Sequence, residues 1–184
     1  MNEEGIRFTV AISTYNVEKY VERAVKSVVN QEFDNFEIII ADDSSTDNTM
    51  EIVNKLKNDK IRVFKTEKNT GTAGGTRNIA IENARGEYII FLDGDDTLYD
   101  NKTLAKIDKP EIVYLGYEDV GQGNKERISD EENSSKKARL ICDVTFSVSS
   151  RCWRKEFLIN NNMKFKTGMY YEDELYCLKA TILS

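Results

Sequence analysis

Residues 88–96 read Tyr-Ile-Ile-Phe-Leu-Asp-Gly-Asp-Asp, an apolar run that ends in a cluster of carboxylates. A run of β-branched and aromatic residues without polar alternation is typical of a parallel strand covered on both faces. Open α/β sheets bind ligands just outside the carboxyl ends of such strands. Closely packed carboxylates repel one another, and Mg²⁺ or Mn²⁺ relieves that repulsion. The stretch is therefore a candidate metal site at a strand end, but the motif alone is weak evidence because acidic turns with a central glycine are common after strands.

The sequence before this stretch alternates between strand and helix patterns. Strands are predicted at 8–12, 36–41, 61–64 and 88–92, and apolar residues recur at helical spacing between them. Asn16 is the predicted N-cap of the first helix, and a glycine-rich loop at 71–75 precedes a helix at 76–84. This alternation implies right-handed crossovers, so we expect an α/β fold with a doubly wound, mostly parallel sheet flanked by helices.

Beyond Asp96 the pattern is looser. The sequence predicts a short helix at 103–107, a strand at 112–117, a charged surface loop at 118–137 and a strand at 144–148. Two further helices are predicted at 154–159 and 172–183, the second opened by acidic residues. The 184 residues suit one domain with one core.

Composition excludes several kinds of chemistry. The net charge is −6 and no basic stripe is present, which argues against a nucleic-acid partner. The chain has no histidine, so carboxylates are left to do acid–base work near neutral pH. Its three cysteines show no C-x-x-C spacing and are predicted to be reduced thiols of a cytoplasmic protein. No apolar stretch approaches the ~20 residues of a membrane span, which predicts a soluble or peripheral protein.

Two common nucleotide-binding motifs are missing. No glycine occurs between Gly5 and Gly71, which excludes the usual glycine-rich turn after the first strand of a dinucleotide-binding fold. No G-x-x-x-x-G-K-[ST] motif occurs either. A metal at Asp93 and Asp95 is then the available means of neutralising a nucleotide diphosphate.

Five blocks of sequence occur in a fixed order: Ser13-Thr14-Tyr15-Asn16, Asp42 through Asp47, Asn69-x-Gly71 through Arg77-Asn78, Asp93-x-Asp95, and Tyr171-Glu172-Asp173. Together they resemble the family 2 glycosyltransferases, whose catalytic domain has the GT-A fold and transfers a sugar from a nucleotide-sugar with inversion. The resemblance runs from residue 9 to residue 178. It implies a nucleotide-binding half at 1–100 and an acceptor-side half at 101–184, the latter shortened after the last block.

The resemblance implies contacts with the donor. Ser13 and Tyr15 would lie on the nucleotide, with the tyrosine ring against the base. Asp43 would accept a hydrogen bond from the base imide, which favours uracil. Arg77 would place positive charge near the diphosphate or the donor sugar, although an ordinary surface cation on a helix is an equal alternative from the residues alone.

The resemblance also implies the chemical groups. Asp95 would bind Mg²⁺ or Mn²⁺, and Asp93 would support both metal and donor. Asp173 would be the catalytic base that takes a proton from the acceptor hydroxyl. Glu172 would orient the acceptor or cap the helix. Inversion needs one displacement and no second carboxylate as a nucleophile.

Simpler structural roles are expected for several neighbours of these residues. Asp42 is assigned to capping the following helix. The glycines of the 71–75 loop are assigned to backbone freedom rather than phosphate contact. Trp153, the sole tryptophan, is assigned to packing rather than to stacking on a sugar.

The leading hypothesis is an inverting transferase that moves a sugar from a UDP-sugar to a hydroxyl of a glycan or lipid-linked acceptor in cell-surface polysaccharide synthesis. It would be cytoplasmic or peripheral at the inner face of the membrane. A nucleotide-sugar binding or scaffold module without turnover is the alternative. A sugar nucleotidyltransferase ranks lower, because its glycine-rich basic loop would follow the first strand directly.

Overall fold

A six-stranded sheet organises the part of the chain that the structure, a computed structural model, describes: residues 5–107, 112–114, 117–118, 125–126, 147–149 and 151–183. Its strands are β1 (Phe8–Thr14), β2 (Phe36–Asp42), β3 (Ile61–Lys65), β4 (Tyr88–Asp93), β5 (Ile112–Tyr114) and β8 (Arg151–Arg154). Their order across the sheet is β3-β2-β1-β4-β8-β5. The first four run parallel, whereas β8 is antiparallel to both β4 and β5. The predicted mostly parallel sheet is confirmed.

Helices cover both faces of this sheet. They are α1 (Val21–Val29), α2 (Thr49–Leu56), α3 (Gly74–Asn83), α4 (Thr103–Lys106), α5 (Lys155–Asn160) and α6 (Glu172–Leu183). One core cluster joins the sheet to α1, α2 and α4, and the other joins it to α3, α5 and α6. In β1, Val10 and Ile12 belong to the first cluster and Ala11 to the second. Burial on both faces explains why most residues of β1, β2 and β4 are apolar.

Helix α1 shows how the sequence pattern selects the face that packs. Val21, Ala24, Val25 and Val28 are buried against the sheet, at the spacing of one helical stripe. Glu22 and Lys26 lie one turn apart on the outer side, with 2.7 Å between Oε1 and Nζ. Exposed pairs of this kind contribute only about 0.3–0.5 kcal/mol, so the apolar stripe dominates the packing of α1.

Several predicted boundaries need correction. Of the predicted strand at 112–117, residues 112–114 form β5 and residue 117 begins β6 (Tyr117–Glu118), while residues 115 and 116 lie outside the described part. Strand β6 pairs with β7 (Lys125–Glu126) inside the segment predicted as a loop. The rest of that loop lies outside the described residues. The predicted strand at 144–148 is wrong for its described residues, 147 and 148, which are not in a strand. Residues 144–146 lie outside the described part.

Strand β8 was not predicted, and its tryptophan explains why it forms. Trp153 is fully buried between β4 and β5, opposite Ile89 and Ile112, and its indole N–H donates to the carbonyl of Val148 at 3.2 Å. The predicted packing role of Trp153 is confirmed. Within the described ranges, no helix combines the length and apolarity needed to span a bilayer.

Candidate functional site

The carboxyl ends of β1, β2 and β4 lie side by side at one edge of the sheet. Ser13 is in register with Asp93, and Thr14 is in register with Asp42. The chain adds β2 and β3 on one side of β1 and then crosses to place β4 on the other. A reversal of strand order opens a crevice at the carboxyl edge, where α/β sheets bind ligands. The sequence blocks after these three strands therefore meet at one site.

Asp42 and Asn16 fasten the loops that follow β2 and β1. The fully buried carboxylate of Asp42 accepts hydrogen bonds from Thr14 Oγ1 at 3.0 Å and from the amide of Ser45 at 2.9 Å. This is a structural role, but it braces a loop and does not cap α2. Asn16 was wrongly predicted as an N-cap, because α1 begins at Val21 and the Asn16 Oδ1 atom accepts from the amide of Thr46 at 2.8 Å.

Asp43 is buried behind the edge and held by two threonines. Its oxygens accept hydrogen bonds from the Thr70 amide at 2.9 and 3.0 Å, and from the Thr70 and Thr66 hydroxyls at 3.0 Å. The loop carrying Thr70 is thereby fixed against the end of β2. The sequence analysis missed Thr66 and Thr70; the available signal was that a buried aspartate needs several donors nearby.

Ser13 and Tyr15 stand at the end of β1. Ser13 Oγ lies 2.9 Å from Thr76 Oγ1 in the first turn of α3. The Tyr15 side chain is 48% exposed, which leaves its ring open to stack on a planar ligand. The two residues thus lie at the same end of the sheet as Asp43, which follows β2 directly.

The acidic turn after β4 is packed closely against β1. Gly94 donates its N–H to the carbonyl of Ser13 at 2.8 Å, and a Cβ at position 94 would lie 2.9 Å from that oxygen. Glycine is therefore required for close approach. Arg23 donates to the carbonyl of Asp95 at 2.7 Å, which braces the turn from α1.

Negative charge accumulates on this turn. Partial burial and then the charges of Asp93 and Asp95 raise the pKa of Asp96 above its usual range, while Arg23 opposes the shift. Within the described ranges, no three His, Cys, Asp or Glu side chains are grouped so as to hold a metal ion. The carboxylates of Asp93 and Asp95 are thus candidate metal ligands, but the described residues do not form a complete coordination shell around them.

Arg77 links this turn to helix α6. Its side chain is buried, so the alternative of an ordinary surface cation is wrong. One guanidinium nitrogen donates to Asp93 Oδ1 at 2.9 Å and the other to Glu172 Oε1 at 3.0 Å. The end of β4 and the start of α6, far apart in sequence, are therefore neighbours in space.

Asp173 follows Glu172 in the first turn of α6. It is partly exposed, and its Oδ1 accepts only the local amide of Glu174, at 3.1 Å, among the contacts of the described residues. No ion pair to Asp173 forms within the described part of the chain. A partly exposed carboxylate without a fixed counterion is free to accept a proton from a substrate.

The glycines of the 71–75 loop serve two purposes. Gly71 has φ +82°, a left-handed conformation in which side chains are strained, so its predicted role in backbone freedom is supported. Gly74 and Gly75 are instead helical and permit close packing. A Cβ at Gly74 would lie 3.0 Å from the carbonyl of Lys166, and one at Gly75 would lie 2.7 Å from Thr70 Oγ1.

Comparison with known proteins identifies the class to which this fold and site belong. The profile of Glycosyl transferase family 2 matches residues 9–171, so the chain belongs to family 2 of the glycosyltransferases. The resemblance seen in the five sequence blocks is confirmed.

Individual relatives share most of this chain. It is 29% identical over 185 residues to poly(ribitol-phosphate) beta-N-acetylglucosaminyltransferase TarS of Staphylococcus aureus, covering 95% of this chain and 32% of that protein. It is 40% identical over 111 residues to UDP-Glc:alpha-D-GlcNAc-diphosphoundecaprenol beta-1,3-glucosyltransferase WfaP of Escherichia coli, covering 59% of this chain and 44% of that protein.

Solved structures confirm the GT-A fold. S. aureus TarS 1-349 in complex with UDP-GlcNAc superposes with a TM-score of 0.82 at 30% identity, covering 96% of this chain and 54% of that chain. The Pyrobaculum calidifontis mannosyltransferase PcManGT superposes at 0.70 with 18% identity, a likeness of fold alone. The chain spans about a third of curated TarS and about half of the solved TarS chain.

Proposed function

We propose that this chain transfers a sugar, with inversion, from a UDP-sugar to a hydroxyl of a glycan or lipid-linked acceptor. The observation that carries the proposal is the Arg77 bridge, because it brings the carboxylates after β4 and the first turn of α6 into one site. Residues 1–100 would bind the donor, and residues 101–184 would face the acceptor. Similarity to TarS, whose structure contains UDP-GlcNAc, supports the donor class.

The nucleotide would lie along the ends of β1 and β2. The half-exposed ring of Tyr15 would stack on uracil, and Ser13 would contact the nucleoside. Asp43 would accept the imide N–H, because its two oxygens offer about four lone-pair sites and the two threonines supply three donor groups. Those threonines hold the carboxylate in one orientation and so favour a particular base.

The donor set at the end of β4 fits Mg²⁺ or Mn²⁺. Asp93 and Asp95 supply hard oxygen ligands, and Mg²⁺ normally keeps waters and substrate phosphates in the rest of its shell. Partial burial and then the negative charges of Asp93 and Asp95 raise the pKa of Asp96, and a cation would offset those charges. A bound cation would supply countercharge for the leaving nucleoside diphosphate.

Asp173 would act as the general base on the acceptor hydroxyl. Its carboxylate is partly exposed and carries no ion pair among the described residues, whereas its neighbour Glu172 is committed to Arg77. Arg77 would place positive charge on the donor side beside Asp93, because one of its terminal nitrogens contacts that carboxylate and the other contacts Glu172.

The named relatives support the proposed acceptor class. WfaP is named for an α-D-GlcNAc-diphosphoundecaprenol acceptor and TarS for a poly(ribitol-phosphate) acceptor. A lipid-linked acceptor would bring this chain to the cytoplasmic face of the membrane as a peripheral protein in surface-polysaccharide synthesis.

Calorimetry of UDP and GDP binding, with and without Mn²⁺, tests the proposal. The wild-type chain should prefer UDP in a Mn²⁺-dependent manner, and Asp95→Asn should lose that dependence. Asp59→Asn is the matched control. Asp59 is exposed in the turn before β3, at the amino end of that strand and therefore at the opposite end of the sheet from the site.

Release of UDP from UDP-GlcNAc then separates transfer from binding alone. Turnover that Asp173→Asn abolishes, with UDP affinity unchanged, supports the transferase. Binding without turnover on any acceptor tested would instead leave a nucleotide-sugar binding module. Absence of UDP binding under every condition would refute the donor site.

A further inference from the structure

Arg77 is placed to connect two parts of the site. The guanidinium lies on α3, 2.9 Å from the carboxylate at the end of β4 and 3.0 Å from the carboxylate at the start of α6. A planar guanidinium presents its N–H groups as a fixed fork, so two carboxylates bound to it are held at a defined separation.

The surroundings of Arg77 restrict its movement. Its guanidinium carbon lies 5.5 Å from the centre of the Phe165 ring, which stacks on Tyr176 of α6 at 3.8 Å. The neighbouring Asn78 bonds both the N–H and the carbonyl of Phe165, at 2.8 and 2.9 Å. Helix α3, the segment at Phe165 and α6 are therefore packed as one unit around the arginine.

Stability alone does not account for this arrangement. The Arg77 Nε atom is buried and has no hydrogen-bond partner in the described part of the chain, which opposes folding. Buried ion pairs are often no more stabilising than apolar groups of similar size, because their desolvation is expensive. A functional role is the better explanation of a buried arginine at the edge of the site.

We propose that Arg77 is a positioning residue that couples Asp93, on the donor side, to the first turn of α6, which carries Asp173. This inference rests on the proposed function. Donor binding at Asp93 would shift the first turn of α6 through the two hydrogen bonds of Arg77. The catalytic base, Asp173, would therefore be positioned when the donor is bound. Lysine cannot replace Arg77 here, because its single ammonium group lacks the fork that spans both carboxylates.

The test uses the whole chain and three variants of the bridge. Arg77→Met removes both contacts, Arg77→Lys keeps the charge without the fork, and Glu172→Gln removes the charge of the α6 partner alone. The matched control is Arg62→Met, because Arg62 bonds buried Glu37 at 3.1 Å and the carbonyl of Asn83 at 2.9 Å, away from the site. Thermal unfolding of each variant reports the purely structural loss.

Hydrogen exchange at residues 170–177, measured with and without UDP and Mn²⁺, reads the coupling directly. UDP and Mn²⁺ should slow exchange there in the wild type and in Arg62→Met. The slowing should be lost in all three bridge variants, although Glu172→Gln should keep its UDP affinity. Release of UDP from UDP-GlcNAc should fall about 100-fold in Arg77→Met, with KM changing less, because small misplacements of catalytic groups have effects of this size.

Opposite results would overturn the inference. If Arg77→Met loses stability as Arg62→Met does but keeps both the donor-induced slowing and turnover, Arg77 forms an ordinary structural ion pair. If Arg77→Met does not fold, Glu172→Gln decides the matter by the same measurements. Failure of the wild type to bind UDP is a different outcome, because it refutes the proposed donor site and removes the basis for coupling.

Discussion

Gly75→Ala should destabilise the chain, although position 75 lies inside α3. Alanine normally stabilises a helix by about 1 kcal/mol relative to glycine. Here the added Cβ would lie 2.7 Å from Thr70 Oγ1 and 2.8 Å from Thr70 Cγ2, so the threonine must move. That threonine hydroxyl lies 3.0 Å from both carboxylate oxygens of Asp43. The substitution should therefore displace Thr70 and, through it, disturb Asp43, the candidate residue for recognition of the nucleotide base.

The expected size follows from three contributions. Overpacking of this kind costs about 1–3 kcal/mol. Losing a hydrogen bond to a charged group costs about 1.5–3 kcal/mol, and the helix propensity of alanine returns about 1 kcal/mol. Because Thr70 is a small side chain that can turn aside, we expect a net loss of about 2 kcal/mol. UDP affinity should fall about tenfold, the equivalent of about 1.4 kcal/mol.

Urea unfolding and UDP calorimetry of four chains measure these effects: wild type, Gly75→Ala, Thr70→Ala and the double variant. In the Thr70→Ala background the hydroxyl and methyl that obstruct the new Cβ are gone, so adding Gly75→Ala should cost less than about 1 kcal/mol. If the Gly75→Ala single variant is as stable as the wild type and binds UDP with full affinity, the predicted clash with Thr70 and its effect on Asp43 are refuted.

Three further outcomes are expected. Because the pKa of Asp96 is raised in the folded chain, its ionisation opposes folding above the unfolded pKa of about 3.9. Asp96→Asn should therefore raise Tm at pH 7 in metal-free buffer and leave Tm unchanged near pH 3. Equal gains in Tm at the two pH values would contradict this explanation. Gly94→Ala should lower both Tm and Mn²⁺-dependent UDP affinity by pushing against the carbonyl of Ser13, whereas Gly5→Ala, which meets nothing within 4 Å, should change neither. Burial raises the pKa of the Cys152 and Cys177 thiols to about 12, so at pH 8 about one in ten thousand is ionised, and peptide mass spectrometry should find them alkylated only after unfolding.

The sequence predicted the central sheet well because local and tertiary preferences agree there. The apolar run Ile38 to Ala41 is typical of a strand buried on both faces, and the observed β2 extends the predicted strand at 36–41 by one residue. Helix α6 was predicted at its observed bounds, since an acidic first turn marks its start. In these elements the local sequence pattern alone is enough to predict the secondary structure.

Elsewhere the structure depends on partners far away in sequence. Residues 151–154 carry two arginines around an apolar pair, and they become β8 because Ile89 and Ile112 lie on either side of Trp153. No local pattern reveals that pairing. Likewise, the site residues were predicted individually, but the contacts of Asp43 with Thr70 and of Arg77 with Glu172 arise only when separate strands and helices are brought together.

The loops after β1 and β2 form tight turns at this site without glycine. Asn16 and Ser44 adopt left-handed conformations, with φ of 50° and 61°, at positions where glycine is easier to accommodate. Each is held by its own side chain: Asn16 Oδ1 accepts from the Thr46 amide at 2.8 Å, and Ser44 Oγ donates to the carbonyl of Thr66 at 2.8 Å. The two loops are therefore tied to their neighbours before any ligand binds.

The same ties determine where phosphate charge can be met. In glycine-loop folds, free backbone N–H groups at the first turn bind the phosphates. Here the amides of Asn16, Val17 and Glu18 already donate to the side chains of Ser45, Thr49 and Asp47, at 3.0, 2.9 and 3.1 Å. Because those donors are occupied, this turn has little left to offer a diphosphate. The negative charge of a diphosphate would have to be neutralised at the neighbouring end of β4. The carboxylates of Asp93 and Asp95 could contribute there only by binding a cation, because they are themselves negative.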